Sequence, residues 1–268
     1  MTRTLEIVRI LALKDLRVAL TYRLSFVLGI VATFYGLLSF FFVSRVVGHS
    51  TQVGTPDEYF RFIVIGVALS NLLRASVTTA ASNVRRDQLE GTLEMLATQP
   101  IPPVALALGW SALPVIEATI EGVITMLVAI PLGFSGFSPD WASVLVVILV
   151  SIIVFLAIGF LGAALVLAIQ QGTGIMGLVT AGLALTSGSV FPVSVLPHSV
   201  RWISDVSPLT YALRAMREAI LEDRGIPDLL NGSLGVLLIY GAVLLPLSIA
   251  VLVGCFSFAR ARGTLARF

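Results

Sequence analysis

Residues 141–169 read WASVLVVILVSIIVFLAIGFLGAALVLAI, and no charged side chain interrupts them. A helix crosses a hydrocarbon layer with about 20 apolar residues, so this run is long enough to span a membrane. Further apolar runs lie at 24–47, 59–82, 104–134, 173–191 and 233–258, separated by short polar or Gly/Pro-rich breaks. The chain of 268 residues is 57% hydrophobic and only 12% charged, with a mean hydropathy of +1.00. A water-soluble core cannot absorb that much apolar surface. The expectation is an all-α polytopic membrane protein with six transmembrane helices, forming a single transmembrane domain over 1–268.

Charge patterning orients the spans. With the N-terminus in the cytoplasm, the inner side holds Arg3, Arg9, Lys14, Arg17, Arg23, Arg85, Arg86, Arg260, Arg262 and Arg267, and the outer side holds fewer basic residues. Such an excess marks the cytoplasmic face. Both termini then face inward, as in a bacterial-type inner (plasma) membrane, with 259–268 as a cytoplasmic tail. Trp110, Trp141 and Trp202 fall near proposed span ends, where an indole suits the headgroup level. The basic residues are scattered and the net charge is only +2, so a nucleic-acid partner has no support.

Three segments are not simple spans. Residues 1–23 place Leu5, Val8, Ala12 and Leu16 on one helical face, a pattern for an N-terminal helix lying on the membrane surface. Residues 85–98 form a second short amphipathic candidate in the largest inner loop, with Leu89, Leu93 and Leu96 on one face and Pro100 closing it. The long outer loop, 192–232, carries an amphipathic stretch near 209–222 in which Leu213, Met216 and Ile220 recur at helical spacing. It is expected to fold back onto the membrane as a re-entrant hairpin between spans five and six.

Several chemistries are excluded. A phosphate-cradling P-loop needs a Gly-rich turn ending in Gly-Lys-Ser/Thr, and the only lysine, Lys14, follows Leu13. The chain therefore has no ATPase site and no catalytic residues of that kind. His49 and His198 stand apart, and Cys255 is the only cysteine, so no metal site is indicated. Ser187 and Ser189 read as helix-packing hydroxyls rather than nucleophiles.

Within 85–98, the sequence Arg86-Asp87-Gln88-Leu89-Glu90-Gly91-Thr92-Leu93-Glu94-Met95-Leu96, followed by Thr98-Gln99-Pro100, resembles the acidic Gly-Thr-Leu-Glu loop of type-2 ABC exporter permeases. That family includes drug, lipid-linked polysaccharide and teichoic acid exporters. Phe191-Pro192 with Val195-Leu196-Pro197, then Ser207-Pro208-Leu209-Thr210-Tyr211 and Arg214, is similar to the family's outer segment after the fifth span. Ser207 departs from the more usual Asn, and a changed helix cap is the expected consequence. The resemblance implies a permease that exports its substrate through a dimer, coupled to two separate ABC ATPase subunits that carry ATP and Mg. It also implies that Asp87, Leu89, Glu90, Gly91, Thr92, Leu93 and Glu94 form the ATPase-coupling helix. Physically, Asp87, Glu90 and Glu94 along one side would meet a partner while the leucines anchor to the spans. The other reading is a solvated surface helix at an ordinary turn.

Arg74 in the second span and Glu117 and Glu121 in the third are costly in hydrocarbon unless paired or wet. They either clamp adjacent spans as a buried ion pair or line a substrate route. Gly159 and Gly162 in the fourth run, and Gly174, Gly177, Ala181, Ala184 and Gly188 in the fifth, permit close helix approach. The chief alternative function is a proton-coupled secondary transporter using Glu117 or Glu121, which would need no ATPase. A membrane-embedded enzyme would need clustered acids or histidines at one face, and the candidates are dispersed.

Overall fold

The computed structural model describes residues 23–47, 55–99, 101–134, 139–169 and 172–262. Among them every regular element is helical: α1 (Arg23–Val47), α2 (Pro56–Leu89), α3 (Thr92–Thr98), α4 (Pro103–Ala129), α5 (Trp141–Ile169), α6 (Gly172–Thr186), α7 (His198–Val206), α8 (Pro208–Leu221), α9 (Ile226–Leu230) and α10 (Ser233–Arg262). Of the surface helix expected over residues 1–23, all but Arg23 lies outside the described residues, as does most of the tail.

Local chemistry sets the ends. Thr55 and Glu58 close a capping box before α2, with Glu58 accepting from the Thr55 amide at 2.9 Å, and Pro56 occupies the first turn, where a missing N–H costs nothing. Asp140 accepts from the Ala142 amide at 3.2 Å and the Ser143 hydroxyl at 2.5 Å, opening α5. Gly133, at φ +110°, ends the 3-10 turn Ile130–Leu132 that follows α4. The apolar run 173–191 is helical only to Thr186, because Gly188 at φ +81° turns the chain.

α2 and α5 form the centre. α2 packs against α1, α4, α5, α6 and α8, and α5 packs against α10 on its other side. Small residues let the two central helices touch: a Cβ at Gly159 would overlap the Ser76 carbonyl, and one at Gly162 would sit 3.6 Å from the Val77 carbonyl, with Met176 Sδ of α6 at 2.9 Å. The core runs through Phe60, Val64, Leu73, Val77, Val154, Phe155 and Phe160. Outward, large apolar side chains such as Phe42, Ile120, Leu145, Ile239 and Val243 are exposed in quantity. A soluble protein does not tolerate such a surface; lipid does.

Among the described residues, four helices are long and apolar enough to cross a membrane: Pro56–Leu89, Pro103–Leu132, Trp141–Ile169 and Ser233–Ala261. Val31–Val46 and Gly172–Thr186 are apolar but shorter. The chain is thus an all-helical, multi-pass membrane protein. α2, with 34 residues, is about 51 Å long at 1.5 Å per residue, so it outreaches the hydrocarbon and carries one end into water.

Candidate functional site: an elbow at Gly91 and a polar face on α2

The projecting end of α2 stops at Leu89. Glu90 N–H donates to the Arg86 carbonyl at 2.9 Å, and Gly91 then turns at φ +71°, a left-handed conformation suited to glycine. α3 starts at Thr92, whose hydroxyl donates back to the Asp87 carbonyl at 3.3 Å. The single helix expected over 85–98 is therefore two pieces, the last turns of α2 and the short α3, broken at Gly91. The break has a physical cause: it lets Leu93 turn into the core, where it is fully buried.

The break also redistributes the side chains. Asp87, expected on the outward acidic side, points inward and accepts from the buried indole Nε1–H of Trp110 at 2.7 Å. One turn earlier, Asn83 Nδ2 donates to the Trp110 carbonyl at 2.9 Å. A buried indole N–H has no role but donor, so an acceptor is obligatory here, and Asp87 supplies it. Trp110 is consequently a core residue, not the headgroup-level ring its position suggested. Leu89, expected on the anchoring face, is exposed together with Glu90, Glu94 and Met95, while Thr92 and Leu96 are half-buried. What faces outward is a small surface of two carboxylates and two large apolar side chains.

Deeper in the bundle, α2 and α4 run antiparallel: Asn83 meets Trp110, and Gly122 faces Ala68. Arg74 and Glu117 are therefore at similar depth. Arg74 takes part in none of the ion pairs Arg45–Asp57, Arg86–Glu90, Arg224–Glu218 and Arg224–Glu222. α2 presents Ala68 and Leu72 to α4, and Arg74 lies about 200° further round the helix than Leu72, so Arg74 is turned away from the face that meets α4. Arg74 instead belongs to a stripe with Asn71, Thr78, Ser82 and Arg85, spaced three or four residues apart and exposed or half-buried. Thr78 donates its hydroxyl to the Arg74 carbonyl at 2.6 Å. Glu117 and Glu121 are half-buried on α4.

At the opposite end, α8 is the amphipathic helix expected near 209–222, with Leu213, Met216 and Ile220 buried. It is locked to the end of α6. Arg217 Nη2 donates to the carbonyls of Gly188 at 2.9 Å and Phe62 at 3.1 Å, and its guanidinium lies 3.4 Å from the Phe62 ring centroid. Ser189 donates to the Ala184 carbonyl at 2.6 Å, and Ser204 to that of Thr186. Ser207 does not cap α8 with its side chain; its hydroxyl meets that of Ser187 at 2.6 Å. The expected change of helix cap is thus a hydroxyl pair between two segments. Ser187 ties two segments together, whereas the Ser189 hydroxyl bonds only the end of its own helix. Sequence reading missed Arg217 and the bonding role of Trp110, since the partners of both are backbone or side-chain atoms distant along the chain.

On α6, no atom of the described residues lies within 4 Å of a Cβ placed at Gly174 or Gly177, so those glycines make no close helix contact among the described residues. Gly66 on α2 is used, because a Cβ there would overlap the Ser189 carbonyl.

These features define a multi-pass helical bundle with a jointed aqueous end and a polar face at membrane depth, the arrangement of a transport permease. Residues 8–221 match the ABC-2 type transporter family, and the chain belongs to that family. It is similar to nodulation protein J of Sinorhizobium fredii, 28% identical over 66% of this chain and 69% of that protein. A second relative, nodulation protein J of Rhizobium meliloti, is 26% identical over 76% and 78%. The inner membrane transport permease YadH of Escherichia coli is 21% identical over 68% and 70%.

Proposed function

We propose that this chain is the transmembrane subunit of an ATP-binding-cassette exporter in a bacterial inner membrane, with six crossings and both termini in the cytoplasm. α1 and α6 supply the two crossings beyond the four long spans. Two copies form the substrate pathway, and two separate ATPase subunits, which carry ATP and Mg, drive it. The observation that carries this reading is the elbow at Gly91. Its exposed Leu89, Glu90, Glu94 and Met95 offer a partner both charge and apolar area, and Leu93 anchors the short helix from below. Asp87 and Asn83 fasten the same end of α2 to Trp110, so a push on α3 displaces α2 and α4 together.

The polar face of α2 supports a wet pathway: Arg74 in hydrocarbon is costly, whereas beside water or across a subunit interface it is tolerated. The unfilled glycines of α6 are suited to close approach by a second copy. The test is co-expression with the cognate ATPase, isolation of the complex, and reconstitution in liposomes with ATP or a proton gradient as the energy source. Export that needs ATP and the ATPase supports the reading. Transport by this chain alone, driven by a proton gradient and abolished by Glu117→Gln or Glu121→Gln, would replace it with a secondary transporter.

A further inference from the structure

At the end of the bundle away from Gly91, α8, the close of α6 and the turn at Pro192–Ser194 surround a cavity of about 360 Å³. Thr210, Arg214 and Arg217 line it from α8, spaced four and three residues apart and so on one helix face. Arg217 spends Nη2 on two carbonyls, but its buried Nε has no hydrogen-bond partner among the described residues. The Thr210 hydroxyl, in a residue only 1% exposed, has none either. Buried polar atoms of this kind are normally satisfied, and two at one cavity point to a ligand that supplies oxygen acceptors.

Charge gives the sign of that ligand. Glu218 and Glu222 also line the cavity, but Arg224 lies 4.0 Å from the first and 2.8 Å from the second. The lining itself carries two arginines and two glutamates, and Arg224, just outside it, engages both carboxylates, which leaves Arg214 and Arg217 as the charged donors facing the cavity. Around the same hairpin, Phe191, Val195 and Trp202 are exposed large apolar groups, suited to the boundary between headgroups and acyl chains. An acceptor-rich anionic head attached to an apolar tail fits both features.

We propose that this cavity binds the phosphate headgroup of a membrane amphiphile. The phosphate oxygens accept from Arg217 Nε–H, the Arg214 guanidinium and the Thr210 hydroxyl, and the apolar chain lies along Phe191 and Val195. The site goes beyond the transport reading and needs no ATPase, so it stands or fails separately. It is tested on the purified full chain in detergent by thermal unfolding with added phosphatidylglycerol, diacylglycerol or inorganic phosphate. Phosphatidylglycerol raises the unfolding temperature and diacylglycerol does not. Arg214→Gln, at an exposed position, and Thr210→Val, a near-isosteric change, each raise the phosphatidylglycerol concentration needed by about tenfold, the worth of one charge-assisted hydrogen bond. An equal shift from inorganic phosphate alone would identify the free anion as the ligand of the same site; none would assign it to the lipid. Equal shifts with phosphatidylglycerol and diacylglycerol, or both variants responding like the wild type, would overturn the proposal.

Discussion

The carboxylate of Asp87 and the indole nitrogen of Trp110 meet at 2.7 Å inside the contact between α2 and α4, a bond joining residues 23 positions apart. It converts the aqueous end of α2 from a free rod into one member of a fastened pair. Asn83, reaching the Trp110 carbonyl at 2.9 Å, doubles the fastening. Any force applied at Gly91 therefore enters two helices at once.

Asp87→Ala should lower stability by about 1–3 kcal/mol, because it leaves a buried indole N–H without an acceptor. Asp87→Asn keeps a carbonyl oxygen at that place and should cost less. Thermal unfolding of Asp87→Ala, Trp110→Phe and the double variant forms a cycle; a double variant no worse than Asp87→Ala would show that the two residues act through one bond.

Gly91→Ala should be tolerated as a fold, costing about 1 kcal/mol for a left-handed residue with a Cβ, since open space surrounds that position. Its effect should appear in ATP hydrolysis by the complex, as the joint no longer sits at the same angle. Leu93→Ala is a poorer probe of coupling: Leu93 is fully buried, and its truncation should cost about 2–5 kcal/mol of stability.

Glycines on two helices should respond oppositely. Gly66→Ala drives a Cβ into the Ser189 carbonyl and should destabilise the subunit by at least the usual overpacking cost of about 1–3 kcal/mol. Gly177→Val meets open space and should leave the unfolding temperature of the isolated subunit unchanged, while weakening self-association measured by sedimentation or crosslinking.

Arg217→Lys should not rescue Arg217→Ala. A guanidinium can donate to the carbonyls of Gly188 and Phe62 while stacking on the Phe62 ring, and an ammonium cannot do all three. Both variants should lose about 1–3 kcal/mol in thermal unfolding, the range for an orphaned buried partner.

The spans were legible because periodicity and hydropathy are local properties: 141–169 coincides with α5, and 209–222 foreshadows α8 to within a residue at each end. Gly91 was legible as part of a motif, but not as a break, because an acidic, leucine-bearing stretch on both sides of it also fits one continuous helix. The inward turn of Asp87 depends on Trp110 being placed across from it, a tertiary fact with no local signature. Arg74, Glu117 and Glu121 were recognised as anomalies by depth alone. Which way Arg74 turns depends on which face of α2 meets α4, and Ala68 and Leu72 occupy that face. Arg217 was invisible for a similar reason: its partners are carbonyls, which every residue has.

The most direct measurement is ATP hydrolysis by the complex co-purified with the cognate ATPase, comparing the wild type with Glu94→Lys and Met95→Asp, two changes on the exposed face of α3. The account predicts a stable complex whose hydrolysis or recovery falls by about tenfold or more in each variant, as for loss of one interface anchor, with the unfolding temperature of the permease unchanged. Variants that bind the ATPase and hydrolyse ATP as the wild type does would contradict it.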